Sequence, residues 1–315
     1  MLILFPSVPY DRRQPDESFI RELRAAKAAG FETALIDIDQ LDVKGVPCAS
    51  IGSTAIYRGW MLTPSKYTEL YRLLWSRDVK LINEPAEYRY AHELPGWYAD
   101  FEGATPRSVW FPDGQSFEDQ LDGKPRMPNW EAIIKEVTLK LGDGPYIVKD
   151  YVKSRKHEWA EACFIEGPDD IKRVAKCFVE RQGEDLVGGL VFRKYIPFWR
   201  VGEHPKSGAP ILNEVRTWTV RGGPLTGHTY WGPDEGGDNI VMPHGLIDIV
   251  DLNGEGSAKQ PLMSWRVKSN FFTMDLAMLK EGGWAVIELG DGQVAGLPEH
   301  VDAEQFYRKL KERFV

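Results

Sequence analysis

Two acid side chains interrupt otherwise apolar, strand-like runs towards the C-terminal end of the chain: Asp275 in FFTMDLAML and Glu288 in WAVIELGDG. A buried ladder ordinarily carries Val or Ile at such positions, because an unpaired charge between apolar neighbours is costly. Two carboxylates on neighbouring strands of a rigid sheet suit a hard, oxygen-seeking cation such as Mg²⁺, which is usually bound by one or two carboxylates together with substrate phosphates. Residues 271–299 therefore read as the floor of a nucleotide–metal site. Two strands are joined by the turn Glu281-Gly282-Gly283, and a third is entered through Asp291-Gly292. Asp291 has two readings, a third metal ligand or a turn residue, since Asp-Gly is a strong hairpin signal.

Other charged residues sit where ordinary strands would not place them. In GPYIVKDYVKSRKHEW the lysine Lys149 lies within a β-branched run. Burying its stem makes sense when the ammonium meets an anion, either a phosphate or a structural carboxylate. The segment opens into the basic loop Lys153, Ser154, Arg155 and Lys156, which reads either as a cover over phosphates or as a solvated loop. In NEVRTWTVRG the period of two puts Glu214, Arg216 and Trp218 on one face. Glu214 and Arg216 then form either a same-face ion pair or a pair turned to a ligand. Arg58 closes the short strand AIYRG. Open α/β sheets bind ligands at the C-terminal ends of their strands, so Arg58 is a candidate substrate-binding residue beside its plain reading as a surface arginine.

The elements that must position these residues follow a recognisable order. An apolar run at 2–5 is followed by helical spacing of Phe19, Ile20, Leu23 and Ala26, with Gly30 where a C-cap glycine belongs, and then by a strand at 33–38. A second helix at 66–76, a strand at 79–83 and a helix at 84–94 complete a parallel α/β layer without a GxGxxG dinucleotide turn. The Pro-, Gly- and Asp-rich stretch 97–128 marks its boundary, giving an N-terminal layer over 1–110 and a second domain over 111–315. Helices at 130–141 and 168–181, a strand at 186–196 and a closing amphipathic helix at 302–314 follow.

Composition narrows the class. At 315 residues and 43% hydrophobic content the chain supports a real core, and its net charge of −8 argues against broad, sequence-independent nucleic-acid binding. Cys48, Cys163 and Cys177 are scattered and lack metal spacing, which is expected of reduced thiols in a cytoplasmic protein. The start MLILFPSVPYDRR reads as a first strand, not a signal peptide, and no apolar run approaches the roughly 20 residues of a membrane span.

Taken together, YIVKD, FRKYI, NEVRTWTV and the Asp275–Glu288 hairpin resemble the ATP-grasp superfamily of carboxylate–amine ligases, in particular the clade named for two arginines and one lysine. The resemblance implies an α/β and α+β architecture: the N-terminal layer precedes an ATP-grasp domain of two α+β subdomains, the smaller lid spanning about 140–200. It implies ATP and Mg²⁺ as cofactors, with Lys149, Lys153, Ser154 and Glu214 among the nucleotide contacts and Lys194, Tyr195 and Ile196 as the adenine hinge. Asp275, Glu288 and Asp291 are the implied metal residues, and Lys149 and Arg216 the catalytic cations. Two departures stand out. Many relatives carry Asn two residues after the metal-binding Glu, where this chain has Gly290, and the usual glycine-rich loop is replaced by VKSRKHEW.

The implied reaction is ligation of a small-molecule or peptide carboxylate to an amine or other nucleophile through an acyl phosphate, with charge neutralisation and positioning doing the chemistry. Two alternatives remain at this level. One is a nucleotide-binding or interaction module without turnover. The other is a polynucleotide ligase adenylated on lysine, although Lys149-Asp150 lacks the following glycine of that motif.

Overall fold

The computed structural model describes residues 1–9, 11–41, 53–113, 117–118, 127–243, 248–252, 259–261 and 267–314; Cys48 lies outside them. The opening strand Leu2–Val8 is buried along nearly its whole length and pairs in parallel with Glu32–Ile36 on one side and Ser53–Tyr57 on the other. Val79–Leu81 extends the layer in parallel, while Asp11–Pro15 folds back antiparallel on the end of the first strand. A continuous apolar strand such as LILFPSV is what a centre flanked on both faces demands. The crossover helix Ile20–Ala28 ends as expected, with Gly30 at φ +79°, a left-handed conformation that glycine adopts without a Cβ clash.

A four-stranded antiparallel sheet carries the stretch expected as the lid, in the order Phe164–Ile165, Tyr146–Asp150, Gly189–Lys194, Ser108–Pro112. The helices Trp130–Leu141 and Ile171–Gln182 close one face of it, burying Ile133, Val137, Val174 and Phe178 against Tyr146, Val148 and Phe192. Ser108–Pro112, which spans the expected boundary at 110–111, pairs with Gly189–Lys194.

The largest sheet runs Gly223–Thr229, Glu214–Val220, Phe271–Met278, Trp284–Asp291, Asp248–Val250, Lys259–Pro261. Its three central strands are antiparallel neighbours, and their register puts Arg216 beside Asp275 and Asp275 beside Glu288. A bulge directly after the Asp275–Glu288 pair re-aims the strand at the site, a common position for such irregularities. The third strand expected after Asp291 does not form. Residues 292–294 turn instead: the Asp291 carboxylate accepts from Gln293 N (2.9 Å), Arg58 takes the carbonyls of Gly292 and Ala295, and the Gln293 carbonyl accepts from Gly59 N (3.3 Å).

The closing helix Ala303–Glu312, capped by Asp302, fastens the N-terminal layer to this sheet: Phe306, Tyr307 and Leu310 share one core with Phe5, Leu23 and Trp218. Among the described residues no helix is long and apolar enough to cross a membrane.

Candidate active site

The lid strand Tyr146–Asp150 divides its two charged residues by pleat. Asp150, fully buried, turns away from the cleft and shapes the loop that follows: its Oδ1 accepts from Val152 N (2.7 Å) and Lys153 N (2.5 Å), and its Oδ2 from Gln182 Nε2 (3.1 Å). Lys149, 6% exposed, turns into the cleft, where Nζ donates to Glu288 Oε1 at 2.6 Å and to the Val152 carbonyl at 3.1 Å. This contact bridges lid and large sheet. Burial pushes the Glu288 carboxyl upward, but Lys149, Lys156 and Arg216 outweigh it and hold Glu288 below the ordinary carboxylate range.

One strand further over, Arg216 forks onto Asp275, Nε to Oδ1 and Nη2 to Oδ2, both at 2.7 Å. Asp275 is 2% exposed, so the bidentate pair supplies the counter-charge that its burial requires. Glu214, two residues before Arg216 on the same face, is also 2% exposed, and its Oε1 is buried without a hydrogen-bond partner. Burial pushes its carboxyl up to about 7, opposed chiefly by the Lys156 ammonium and reinforced by Asp275. Lys156 lines the cleft beside Glu214 and lies 5.1 Å over the Tyr230 ring, while the Arg216 guanidinium lies 4.9 Å from the same ring.

The far end of the cleft is apolar. Ile147, Trp159, Ile196, Phe198, Leu212 and Ile287 wall it, beside a mouth that opens to solvent. Lys194, Tyr195 and Ile196 pass along this wall as the chain leaves the lid sheet; Tyr195 N donates to Pro145 O (2.9 Å) and Lys194 Nζ to Gly144 O (2.5 Å). Trp159 stacks on Phe164, whose ring meets Tyr195 edge-on, fixing the aromatic rim. Such a slot, apolar at one end and cationic at the other, matches a nucleotide with a flat base and charged phosphates.

The structure thus gathers Lys149, Ser154, Lys194, Tyr195, Ile196, Glu214 and Glu288 around one cleft, with Arg216 and Asp275 in register behind Glu288. Three expected site residues fall elsewhere. Lys153 is exposed, since Asp150 binds its backbone and turns its side chain to solvent. Asp291 lies three residues beyond Glu288 on a regular pleat and so faces the opposite side of the sheet. There its carboxylate accepts from Asn83 Nδ2 (2.6 Å) and Gln293 Nε2 (3.2 Å) and is fully buried, which corrects the metal-ligand reading in favour of the turn. Arg58 is 1% exposed and is not a substrate anchor: Nε (3.0 Å) and Nη2 (2.8 Å) both bind Glu22 Oε2, and Nη1 binds the Gly292 (2.5 Å) and Ala295 (2.8 Å) carbonyls.

Sequence reasoning left Lys156 within a solvated or covering loop and did not mark Arg193 or Tyr230. Within that loop Arg155 bonds Glu158 (2.6 Å) and Gln182 (3.0 Å), tethering the segment so that the next residue enters the cleft. Arg193 Nη1 donates to Ile287 O at 2.5 Å, and burial pushes its guanidinium down to about 10. The basic run and FRKYI were the available signals, but neither distinguishes which cation turns inward.

Among the described residues no group of three or more His, Cys, Asp or Glu could by itself hold a metal. The donor set nevertheless fits a hard cation that completes its shell with phosphate oxygens: Glu288 and Glu214 line the cleft, Asp275 stands in register behind, and the orphaned Glu214 Oε1 calls for a donor or cation.

A family profile described as the ATP-grasp domain, family 3 of the clade named for two arginines and one lysine, matches residues 140–310, more than half of the 315-residue chain. Comparison with curated proteins gives no match. Among solved structures, D-cycloserine synthetase DcsG superposes with a TM-score of 0.55 at 12% identity, covering 100% of both chains. A RimK domain ATP-grasp protein from Sphaerobacter thermophilus gives 0.55 at 13% identity, over 99% of this chain and 98% of that one. The ATP-grasp ligase PsnB, complexed with minimal precursor, Mg and ADP, gives 0.52 at 12%, over 99% and 96%. At these identities the likenesses speak for the shared fold alone. The profile match covers the lysine strand, the hinge and the Arg216–Asp275–Glu288 row, and the chain belongs to the ATP-grasp superfamily, in family 3 of the two-arginine, one-lysine clade.

Proposed function

We propose that the protein is an ATP- and Mg²⁺-dependent ligase that joins a carboxylate to an amine or related nucleophile through an acyl phosphate. The observation that carries this reading is the Arg216–Asp275–Glu288 row facing Lys149 across a cleft with an apolar, aromatic-rimmed end. In the proposed reaction a carboxylate oxygen attacks the γ-phosphorus and the bond to the β–γ bridging oxygen breaks, releasing ADP. The nucleophile then attacks the acyl carbon, and phosphate departs with the electrons of the C–O bond. Glu288 and Asp275 are the residues that would hold Mg²⁺, which when bound would supply neutralisation of phosphate charge.

The chain's own groups supply the rest. Lys149 exchanges Glu288 for phosphate oxygens, Arg216 and Lys156 balance charge developing on the transferred phosphoryl group, and the 194–196 hinge seats the base. Beyond Arg216 a second cavity, walled by Tyr230, His228, Glu235 and His300, leads to the same guanidinium and is the proposed entry for the second substrate. Related folds named D-cycloserine synthetase and PsnB, the latter held with a precursor, support both small-molecule and peptide substrates as candidates.

Phosphate release from ATP and Mg²⁺, screened over amino acids and peptides, tests the proposal. Release that rises with an added carboxylate and amine is expected. One observation favours the second reading, a nucleotide-binding module without turnover: the chain's own cations already pair both Asp275 and Glu288. Saturable ADP·Mg²⁺ binding without phosphate release from any carboxylate would select it.

A further inference from the structure

Two buried polar atoms on residues that line the nucleotide cleft have no hydrogen-bond partner among the described residues. One is Glu214 Oε1; the other is the indole Nε1 of Trp231, which plays no part in the proposed reaction. The two residues are 2% and 7% exposed. The backbone ties them together, since Tyr230 N donates to the Glu214 carbonyl at 2.9 Å and so fixes the residue before Trp231 against the strand that carries Glu214.

Packing holds the indole in place. Its ring meets His204 at 5.6 Å and Tyr230 edge-on at 5.4 Å between centroids, and a Cβ at Gly237 would come within 2.3 Å of the Trp231 carbonyl, so the chain closes tightly around it. A buried N–H that cannot turn to another acceptor costs about as much as a lost hydrogen bond, unless a ligand supplies the acceptor. The chemistry of the two orphaned atoms narrows what that ligand group is. An indole N–H only donates and an ionised carboxylate only accepts. A phosphate oxygen would satisfy Trp231 and be repelled by Glu214, and an ammonium would satisfy Glu214 and leave Trp231 unpaired. A hydroxyl serves both, accepting from one and donating to the other. In a nucleotide seated with its base on the 194–196 wall and its phosphates at Lys149, the hydroxyls are those of the sugar.

We infer that Trp231 Nε1 donates to a ribose hydroxyl that in turn donates to Glu214 Oε1, which makes Trp231 the residue by which the cleft distinguishes ribonucleotides from deoxyribonucleotides. Glu214 is a nucleotide contact already implied by the resemblance, whereas Trp231 has no counterpart among the expected site residues. A site built to hydrogen-bond a hydroxyl rejects the analogue that lacks it, because the buried groups of the site are then left unpaired. The inference rests on the nucleotide reading of the cleft and needs neither turnover nor a second substrate.

The test is isothermal titration of the full chain with ADP, 2′-deoxy-ADP and 3′-deoxy-ADP, each with Mg²⁺. The parent protein should bind ADP about fivefold or more tightly than at least one deoxy analogue. Trp231→Phe keeps an aromatic ring and removes the N–H. It should weaken ADP binding about three- to tenfold and leave that deoxy analogue unchanged, so that the preference shrinks by the same factor. Equal weakening of all three nucleotides by Trp231→Phe, the result of a packing role, overturns the inference. So does a parent protein that binds all three alike, whether or not the variant folds. Saturable binding without sugar preference strikes this inference alone, whereas no saturable binding of any of the three strikes the nucleotide reading and the inference with it.

Discussion

Replacing Arg58 by alanine should cost stability and leave substrate preference alone. The guanidinium sits at the junction of three segments far apart in sequence: it binds Glu22 Oε2 through two nitrogens and the Gly292 and Ala295 carbonyls through a third, and it lies 5.1 Å from the Trp218 ring and 5.8 Å from that of Phe306. Truncation leaves Glu22, 4% exposed, with the Tyr307 hydroxyl at 2.7 Å as its one remaining hydrogen-bond partner among the described residues, and strands two carbonyls. Breaking a buried ion pair on one side typically costs about 3–5 kcal/mol, a large fraction of the roughly 5–15 kcal/mol that holds a domain together. Urea unfolding followed by tryptophan fluorescence and far-UV dichroism should show the midpoint falling by that margin. The double variant Arg58→Met, Glu22→Gln should recover part of the loss, because it removes both charges together. A variant with an unaltered midpoint and a raised Michaelis constant for the carboxylate alone would refute the clamp and restore the anchor.

Glu288→Gln should abolish Mg²⁺-dependent phosphate release while leaving the unfolding midpoint near that of the parent; retention of full activity would remove Glu288 from the metal floor. Lys149→Ala should weaken ADP·Mg²⁺ binding or turnover, and Lys149→Arg should not fully restore it, because a planar fork places its donors differently from a compact ammonium. Lys156→Gln should lower the turnover number more than it raises the Michaelis constant for ATP, whereas Lys153→Gln, on the solvent side, should leave both unchanged. Buried His228 has its pKa pushed down to about 4: burial disfavours the charged ring, and Trp218 Nε1 donates to its Nε2 at 3.0 Å. Its unfolded counterpart takes a proton near 6.5, so the unfolded state binds more protons between those values and stability is lost as pH falls through that window, by up to about 1.4 kcal/mol per pH unit. His228→Gln should flatten that part of the acid limb in unfolding midpoints measured from about pH 7 to 4, and an unchanged slope would show that other groups set it.

What the sequence carried well was local and periodic. Alternation alone placed Glu214 and Arg216 on one face, the acid interruptions marked Asp275 and Glu288, and Gly30 marked the end of the first crossover helix; each depends on contacts within a few residues or one pleat. Arg58 was misjudged because its role is decided by Glu22 and by the 292–295 turn, which sequence spacing cannot bring together. The same turn explains why Asp291-Gly292 did not start a strand: the dipeptide signal was read correctly as a bend, but what the bend joined was set by Arg58 and Asn83. In the loop after Lys149 the neighbouring basic residues look alike in sequence, but the hold of Asp150 on the Lys153 backbone and the tether from Arg155 to Gln182 are short- and long-range contacts under which Lys156 lines the cleft and Lys153 does not.

The charge arrangement of the cleft follows from one constraint. Buried carboxylates must be paired or become neutral. Asp275 takes Arg216 and Glu288 takes Lys149, each at hydrogen-bond distance, whereas Glu214 keeps one oxygen orphaned and is pushed towards neutrality. The two pairs differ in how easily they can be exchanged. The Arg216 fork is bidentate on a 2%-exposed partner within one sheet, so separating it would strand a charge. The Lys149 contact is single, spans lid and sheet, and ends on a side chain 30% exposed. On the proposed reading, Lys149–Glu288 is therefore the pair that a phosphate-bearing ligand would open more readily, the ammonium turning from carboxylate to phosphate. Because the Lys149 contact joins the two sheets, opening it would loosen the tie between them, whereas opening the Arg216 fork would act within one sheet.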